Sequence, residues 1–443
     1  MKSTPLLITL LMIGASAFGQ QRSLDECIRI ALERNELVKN SSLDVQSSEF
    51  QVKEAKSALL PTMNLNTNYL YYLDVPSQYA PASAFGGPEG QYSKLVLNLP
   101  QTTTAGLQSQ QILFDQSVFT GLKAARVVRE ASQVKLALTQ EDIIYNVTAT
   151  YYTVQVLQDN LARLQENIKN LEKTVTINES LKSNELVSAN VHNRLLINLE
   201  NLRNQYENQR LSYEKNLNLL QYLINVRDEE LSVAPFNYEE IIMLSGQADI
   251  DQRPDIQLQK KQIKIAEYDK KYVAAGYYPQ LVGVSSFGFA SYNDQFNPAE
   301  QINNDWIKNS SVSVSLKIPV FDGFKKSYKI KQKEVDLQKN INTLSRMKAN
   351  AEKEVADAVE NYLSNSNQVT SSKKSLDLAE QLFTTSQSEF ENGLTSTTEL
   401  LNAQNDLTSA RTNYSNALLN LKLAELSWKK SSGTLVTEYI TKK

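Results

Sequence analysis

Long stretches of this 443-residue chain place apolar side chains at alternating intervals of three and four residues. In the first half, this series consists of Val147, Tyr151, Val154, Leu157, Leu161, Leu164, Ile168, Leu171 and Val175. In the second half, residues at intervals of seven are Val355, Tyr362, Val369, Leu376, Phe383 and Phe390. An apolar repeat of this kind predicts long helices that pack side by side as coiled coils. No glycine lies between Gly121 and Gly246, so the first series is free of this helix breaker.

Shorter stretches follow the two-residue period of a strand. After Pro61, nearly every second residue is apolar or aromatic, and the residues between them begin with three asparagines. From Ser311, serines alternate with valine and leucine, a third run begins at Leu281, and a weaker fourth extends from Thr102 to Leu113. The alternation predicts strands at about 62–73, 101–113, 280–291 and 310–320. An apolar face opposite a small polar face is typical of a membrane β-barrel strand, but a half-buried soluble sheet has the same pattern.

Landmarks in the first half recur in the same order in the second half, which indicates an internal two-fold repeat. After the last landmark, Leu199, Arg203 and Tyr206 align with Leu407, Arg411 and Tyr414 without a gap. The paired landmarks are Arg34-Asn35-Glu36-Leu37 with Arg253-Pro254-Asp255-Ile256, Leu60-Pro61 with Tyr278-Pro279, Leu113-Phe114-Asp115 with Val320-Phe321-Asp322, and Asn184-Glu185-Leu186-Val187-Ser188 with Asn392-Gly393-Leu394-Thr395-Ser396.

Each repeat is predicted to contain a helix, two strands and a long helical hairpin. We place the first repeat at 20–235 with its hairpin turn near 184–188, and the second at 236–430 with its turn near 392–396. Residues 431–443 form a C-terminal tail. Four strands cannot close into a membrane barrel alone, so several copies would have to share one barrel. Three copies would supply 12 strands, although the residues themselves do not set the number three.

The first 19 residues have the features of a secretory signal peptide. Lys2 provides a positive charge, an apolar run follows from Leu6 to Ile13, and small residues surround Gly19. The apolar run is too short to span a bilayer as a helix, and we expect cleavage after Gly19. The single cysteine, Cys27, does not lie at this junction, which argues against a lipid anchor. We expect Cys27 to be a buried residue of the next helix.

The chain has no recognisable catalytic signature. It lacks a glycine-rich phosphate loop, a Gly-x-Ser-x-Gly motif and a cluster of cysteine and histidine residues. We therefore predict no enzymatic activity, no metal site and no cofactor. The only histidine, His192, is expected to be solvated rather than a pH sensor or metal ligand. A net charge of −3 provides no basic field for nucleic acid. Residues 77–91 and 293–304 are polar and turn-rich, so we expect surface loops there.

Taken together, several motifs in this order resemble the TolC-like outer membrane factor family, also called outer membrane efflux proteins. The resemblance extends over essentially the whole mature chain and implies an α+β membrane protein. It implies a homotrimer with a 12-stranded outer-membrane β-barrel and a periplasmic α-barrel of antiparallel coiled-coil helices. The motifs are Leu24-Asp25-Glu26-Cys27-Ile28, Arg253-Pro254-Asp255-Ile256, the two Phe-Asp steps and Gly393-Leu394.

The resemblance also implies a location in the outer membrane of a Gram-negative bacterium, in contact with its lipid. The implied partners are a periplasmic adaptor and an inner-membrane efflux pump or secretion transporter. The resemblance implies that the adaptor contacts the hairpin turns. The positions of this chain that match the adaptor-contacting residues are Asn184, Leu186, Ser188, Asn392, Gly393, Leu394 and Ser396.

The family commonly places two acidic residues that face the pore just past the second turn. Glu399 and Asn402 occupy these positions here, and their spacing of three residues puts both on one helix face. Repeated by symmetry, Glu399 would form a ring of negative charge that attracts cations. Asn402 departs from the acidic pattern, so the ring could be a single layer. Val191 stands at the equivalent of Glu399 in the first repeat, so that position offers no partner charge for a salt bridge that would lock the closed state.

The resulting functional expectation is a passive conduit for cargo delivered by an inner-membrane machine. The alternative is a soluble periplasmic coiled-coil adaptor or scaffold. That alternative accounts for the heptads, but it leaves the proline-bounded strands unexplained and would expose their apolar faces to water. The sequence does not identify the cargo.

Overall fold

The computed structural model describes residues 21–226, 231–236, 248–294 and 306–440. The expected signal peptide lies outside the described residues, as do residues 295–304 of the second expected loop. The chain divides into two units. The helical unit comprises Met1–Val45, Ser132–Lys260 and Thr343–Lys443. The sheet unit comprises Gln46–Ala131 and Lys261–Asn342.

Most described residues are helical. The helices are α1 (Leu24–Arg34), α2 (Glu36–Ser57), α3 (Gln116–Ser183), α4 (Ala189–Ile224), α5 (Pro254–Ala275), α6 (Lys325–Glu391), α7 (Thr397–Ser431) and α8 (Leu435–Ile440). The strands are β1 (Gln21–Arg22), β2 (Thr62–Tyr71), β3 (Gln78–Pro81), β4 (Tyr92–Leu95), β5 (Gln101–Asp115), β6 (Ser232–Val233), β7 (Gln280–Asn293) and β8 (Ile307–Lys317). Two short 3₁₀ helices span Ala82–Phe85 and Ile250–Gln252.

The two longest helices are α3 with 68 residues and α6 with 67 residues. Each follows a pair of long strands and precedes a helix of about half its length, α4 or α7. Tyr362, Val369 and Leu376 of the seven-residue series are buried on α6, as the coiled-coil pattern predicts. The two-fold repeat and its boundary between residues 235 and 236 stay predictions.

The sheet unit is built on an antiparallel sheet with the strand order β2-β5-β7-β8. Gly106 of β5 faces Gly288 of β7, and a Cβ atom on Gly288 would lie 3.0 Å from the Ala105 carbonyl oxygen. Glycine at both positions therefore allows the two backbones to approach closely. Every residue of the outer strands β2 and β8 is exposed in the single chain.

These four strands begin and end within three residues of the bounds predicted from the alternation. The expectation of a loop at 77–91 was incomplete, because β3 and β4 form a small antiparallel hairpin around the 3₁₀ helix Ala82–Phe85. The sequence hid this hairpin because its strands are only four residues long and too short to show an alternating pattern.

The largest apolar core of the helical unit is formed by α1, α3 and α4, with Leu426 and Leu435 from the C-terminal helices. Cys27 is fully buried in this core, and burial raises the pKa of its thiol to about 11. The thiol is therefore protonated and unreactive at neutral pH, which confirms the structural role expected from the sequence. Among the described residues, no helix combines the length and the apolar character needed to cross a bilayer.

Candidate functional site: the two hairpin turns

The first hairpin turn ends α3 with a pair of backbone hydrogen bonds that reach back into the helix. The amide of Leu186 donates to the carbonyl of Leu181 at 2.9 Å, and the amide of Glu185 donates to the carbonyl of Lys182 at 2.9 Å. This is the Schellman arrangement, which requires a left-handed residue at its centre. Glu185 supplies it with a φ of 59°. The side-chain amide of Asn184 donates a third hydrogen bond, to the carbonyl of Ser180 at 2.8 Å.

The second turn repeats this arrangement at the end of α6. Leu394 donates to the carbonyl of Glu389 at 2.8 Å, and Gly393 donates to that of Phe390 at 3.0 Å. Gly393 has a φ of 70°, which glycine adopts without a steric penalty. The Asn392 side chain donates to the carbonyl of Ser388 at 2.8 Å, as Asn184 does to Ser180 in the first turn.

Each turn presents one leucine to solvent. Leu186 is 70% exposed and Leu394 is 79% exposed. In a Schellman turn this position often packs back onto the helix, but neither leucine does so here. The two turns therefore each carry one exposed apolar side chain in the same backbone geometry.

The two serines that follow the turns differ in their capping bonds. The Ser396 side chain accepts a hydrogen bond from the amide of Glu399 at 3.2 Å, which caps the N-terminus of α7. Ser188 occupies the same position before α4 but makes no side-chain capping bond. Both serines are exposed, as are Asn184, Asn392 and Gly393. The seven residues predicted to meet an adaptor therefore lie on the surface of the two turns.

Glu399 and Asn402 lie on the exposed side of the first turns of α7. The residues between them, Leu400 and Leu401, are buried and anchor this part of the helix. A carboxylate in the first turn of a helix is also favoured by the helix dipole. The structure therefore presents both side chains to solvent on one helix face, as the three-residue spacing predicts. Their role in a pore stays a prediction.

Polar contacts join the two hairpins near the turns. The Asn178 side chain on α3 donates to Oγ1 of Thr397 on α7 at 3.3 Å, and Asn178 is fully buried. Further along, Asn167 donates to Oγ1 of Thr408 at 3.0 Å. Leu401 of α7 also belongs to an apolar cluster with leucines of α3 and α4. The start of α7, which carries Glu399, is thus held against α3.

The contact between Asn178 and Thr397 was not predicted, although the sequence contains a signal for it. Asn178 follows Leu157, Leu164 and Leu171 at intervals of seven, so it is a polar residue at an apolar heptad position. A single asparagine at such a position specifies which helix faces which, at some loss of stability.

The expectation that His192 is solvated was wrong. Its side chain is only 6% exposed, and its Nδ1 atom has no hydrogen-bond partner among the described residues. His192 precedes Leu195, Leu199 and Leu202 on the buried stripe of α4, at intervals of three, four and three. The buried stripe of α4 therefore begins at His192, one stripe position closer to the turn than Leu195, where the predicted apolar series begins.

A buried carboxyl group, Glu141, lies elsewhere in the helical unit on α3. It is 4% exposed, and its Oε1 atom has no hydrogen-bond partner in the described part of the chain. Burial raises the pKa of Glu141 to about 7, and the positive charge of Lys430 opposes this shift. The burial of Glu141 is not evident from the sequence, because a glutamate beside apolar heptad positions is ordinarily exposed.

Within the described ranges, no group of three histidine, cysteine or carboxylate side chains is placed to hold a metal ion. The features that distinguish these two hairpins are exposed apolar turns, an adjacent exposed carboxylate and polar contacts between helices.

Comparisons with known proteins agree with this fold. Residues 247–434 match the family described as outer membrane efflux protein. The family match, the curated relatives and the solved structures all indicate a TolC-like outer membrane factor.

Among individual proteins, the chain is 22% identical to outer membrane protein TolC of Escherichia coli over 455 residues, which cover 96% of this chain and 86% of TolC. The Campylobacter jejuni CmeC outer membrane channel has a TM-score of 0.75 at 17% identity, and the match covers 95% of this chain and 88% of the CmeC chain. The Neisseria gonorrhoeae MtrE outer membrane channel, solved in its open state, has a TM-score of 0.73 at 20% identity. That match covers 93% of this chain and 89% of the MtrE chain. Both channels share the fold of this chain.

Proposed function

We propose that this chain is the outer-membrane channel subunit of a tripartite efflux or type I secretion system. The single observation that carries the proposal is the sheet with two open edges. Strands β2 and β8 have no outer neighbour in the described part of the chain, and Val312, Val314 and Leu65 on them are exposed. Unpaired backbone groups cannot remain in contact with lipid, so the edges need partners.

Three copies would satisfy this need if β2 of each copy paired with β8 of the next. The result is a closed barrel of 12 strands, an even number within the range of outer-membrane barrels. The coiled-coil helices would then form a periplasmic α-barrel that continues the conduit. The number three rests on the resemblance to TolC-like proteins.

The hairpin turns provide the contact with the rest of the export machine. Leu186 and Leu394 are exposed apolar residues at the two turns, which suits docking of a periplasmic adaptor. The adaptor would connect the channel to an inner-membrane pump or secretion transporter, which supplies the energy. Conduction through the channel itself is passive.

Glu399 and Asn402 form the gate in this proposal. Three copies of Glu399 around the axis would make one ring of negative charge at the periplasmic entrance. Opening requires the adaptor to bind the open turns more tightly than the closed turns. The contacts of Asn178 and Asn167 with α7 have to adjust as the entrance widens, because they hold the start of α7 against α3.

The first experiment measures the native mass of the protein after detergent extraction from outer membranes. The second tests the edge pairing in a Cys27→Ala background, where Asn66→Cys on β2 is combined in turn with Ser311→Cys, Ser313→Cys and Ser315→Cys on β8. We expect the native mass of a trimer in the first experiment. In the second, we expect one of the three cysteine pairs, the one in register, to give a disulfide-linked trimer. A soluble periplasmic monomer that never cross-links would contradict the proposal and favour a coiled-coil adaptor or scaffold.

A further inference from the structure

The sheet unit carries an uneven distribution of positive charge. Residues 261–294 and 306–342 contain twelve lysines and only six carboxylates. Six of these lysines lie on the first 15 residues of α6, four lie on α5 and two lie on β8. The loop at the other end of β2 and β5, residues 72–100, contains only Asp74, Glu89 and Lys94 as charged residues.

The two helix–strand junctions lie side by side. Lys326 on α6 forms an ion pair with Asp322 at 3.0 Å, and its Nζ lies 5.3 Å from the ring centre of Tyr277, which follows α5. A Cβ atom on Gly276 would come within 3.2 Å of the Lys326 side chain, so glycine there allows the junctions to pack closely. The side chains at the end of α5 and the start of α6 therefore form one continuous surface.

Four lysines on this surface, Lys271, Lys325, Lys329 and Lys331, are exposed and form no ion pair with any described residue. The nearby carboxylates Asp269, Asp322 and Glu334 are already paired with Lys333, Lys326 and Lys270, respectively. The positive charge of the four free lysines is therefore not neutralised within the chain by these carboxylates, and it can attract an external anion.

Exposed aromatic side chains are interleaved with these lysines. Tyr328 is 63% exposed, and the Lys331 Nζ lies 5.8 Å from its ring centre. Phe321 and Phe324 are also exposed and meet edge to face at 5.5 Å. Aromatic rings beside lysines are the composition found where a protein surface passes from hydrocarbon to lipid headgroups. We call Lys271, Lys325, Lys329, Lys331, Tyr277 and Tyr328 the junction belt.

We propose that the junction belt binds the phosphate headgroups of anionic phospholipids in the membrane leaflet at the end of the sheet where β7 and β8 connect to α5 and α6. The inference rests on the proposed insertion of this sheet in the outer membrane. The lysines contact the phosphates as point charges, while the tyrosine rings lie at the boundary with the acyl chains. The scarcity of positive charge in residues 72–100 makes the preference specific to one end of the sheet.

The test uses the purified trimer in detergent and native mass spectrometry to count bound dioleoyl-phosphatidylglycerol and dioleoyl-phosphatidylcholine. The variants are Lys325→Gln/Lys329→Gln in the junction belt and Lys173→Gln/Lys374→Gln as a matched control in the helical unit, where both lysines are exposed. We expect the wild type and the control to prefer phosphatidylglycerol. The belt variant should lose about tenfold in apparent affinity for it.

Three outcomes would overturn the inference. The first is equal binding of both lipids by the wild type, and the second is a loss in the control variant as large as that in the belt variant. The third is displacement of phosphatidylglycerol by millimolar inorganic phosphate, which would identify a free-anion site. Dissociation of the Gln variant into monomers, while Lys325→Arg/Lys329→Arg stays trimeric, would show that the lysines contact another copy and would also contradict it. A wild-type protein that is not trimeric in the outer membrane would instead contradict the proposed function.

Discussion

At the scale of single residues, the two hairpin turns achieve the same backbone geometry with different residues. Gly393 adopts its left-handed conformation freely, whereas Glu185 adopts it against the steric preference of an L-residue. The hydrogen bonds of Asn184 and Asn392 to the preceding helix turn are the same, at 2.8 Å each. The first turn therefore stores a small strain that the second turn lacks.

This difference predicts opposite effects of two substitutions. Gly393→Ala should destabilise the second turn by about 1 kcal/mol, because nothing lies within 4 Å of the added Cβ and only the backbone is strained. Glu185→Gly should relax the first turn. Hydrogen exchange of the Leu394 and Leu186 amides would measure both effects. Gly393→Asn is the control, because asparagine tolerates this conformation, and exchange as fast as in Gly393→Ala would contradict the explanation.

The buried carboxyl group of Glu141 predicts a pH dependence of stability. Its pKa is raised from 4.5 to about 7 in the folded protein, mainly by burial, with Lys430 and Arg253 opposing and Asp255 and Asp142 adding to the shift. The folded state therefore binds the proton more tightly than the unfolded chain. The stabilisation is present at low pH and is lost as the pH rises from about 4.5 through 7.

Glu141→Gln should remove this dependence and stabilise the protein at pH 8 by on the order of 2 kcal/mol. Thermal melting followed by helical circular dichroism at pH 5 and pH 8 would measure the change. Asp142→Asn is the matched control, since Asp142 is exposed and paired with Lys430 at 2.8 Å. An equal effect of both variants would show that burial of Glu141 is not the cause.

At the scale of elements, each helix presents an apolar stripe that the fold covers and other positions that it leaves open. On α7, Leu401 is buried in the cluster with α3 and α4, while Leu394 just before the helix is exposed. Leu401 therefore packs within the protein, whereas Leu394 is available to a partner.

Substitution of these two leucines separates the roles. Leu401→Ala should destabilise the helical unit by about 2–5 kcal/mol because it leaves a cavity. Leu394→Ala should change stability by less than about 0.5 kcal/mol, since the side chain is already in solvent. Denaturant unfolding of both variants would measure this. If Leu394→Ala is as destabilising as Leu401→Ala, the turn leucine packs within the protein and is not free for an adaptor.

At the scale of the whole molecule, the proposed trimer multiplies each exposed charge near the axis by three. Glu399→Gln should therefore reduce the cation selectivity of the channel in planar bilayers, and Asn402→Asp should increase it. The reversal potential in a KCl gradient would measure the selectivity. Glu200→Gln removes an exposed carboxylate from α4, where it is paired with Arg203 at 2.9 Å, and should leave selectivity unchanged. An unchanged reversal potential in both Glu399→Gln and Asn402→Asp would exclude this pair as the gate.

The sequence alone determined the longest elements of this protein. The 3.5-residue repeat predicted the long helices, the two-residue alternation predicted the four long strands, and Gly393-Leu394 predicted a turn. These signals are local, because the period of apolar residues reflects the geometry of one helix or strand whatever it packs against. The motifs also indicate a resemblance to the TolC-like family.

Only the tertiary structure decided which side chains are buried and what they meet. It buried His192 and Glu141, joined Asn178 to Thr397, and arranged β3 and β4 into a hairpin. The periodic pattern does not contain this information, because burial of a polar residue depends on elements that are distant in the chain. Asn178 and Thr397 are 219 residues apart, and only the packing of two hairpins brings them together.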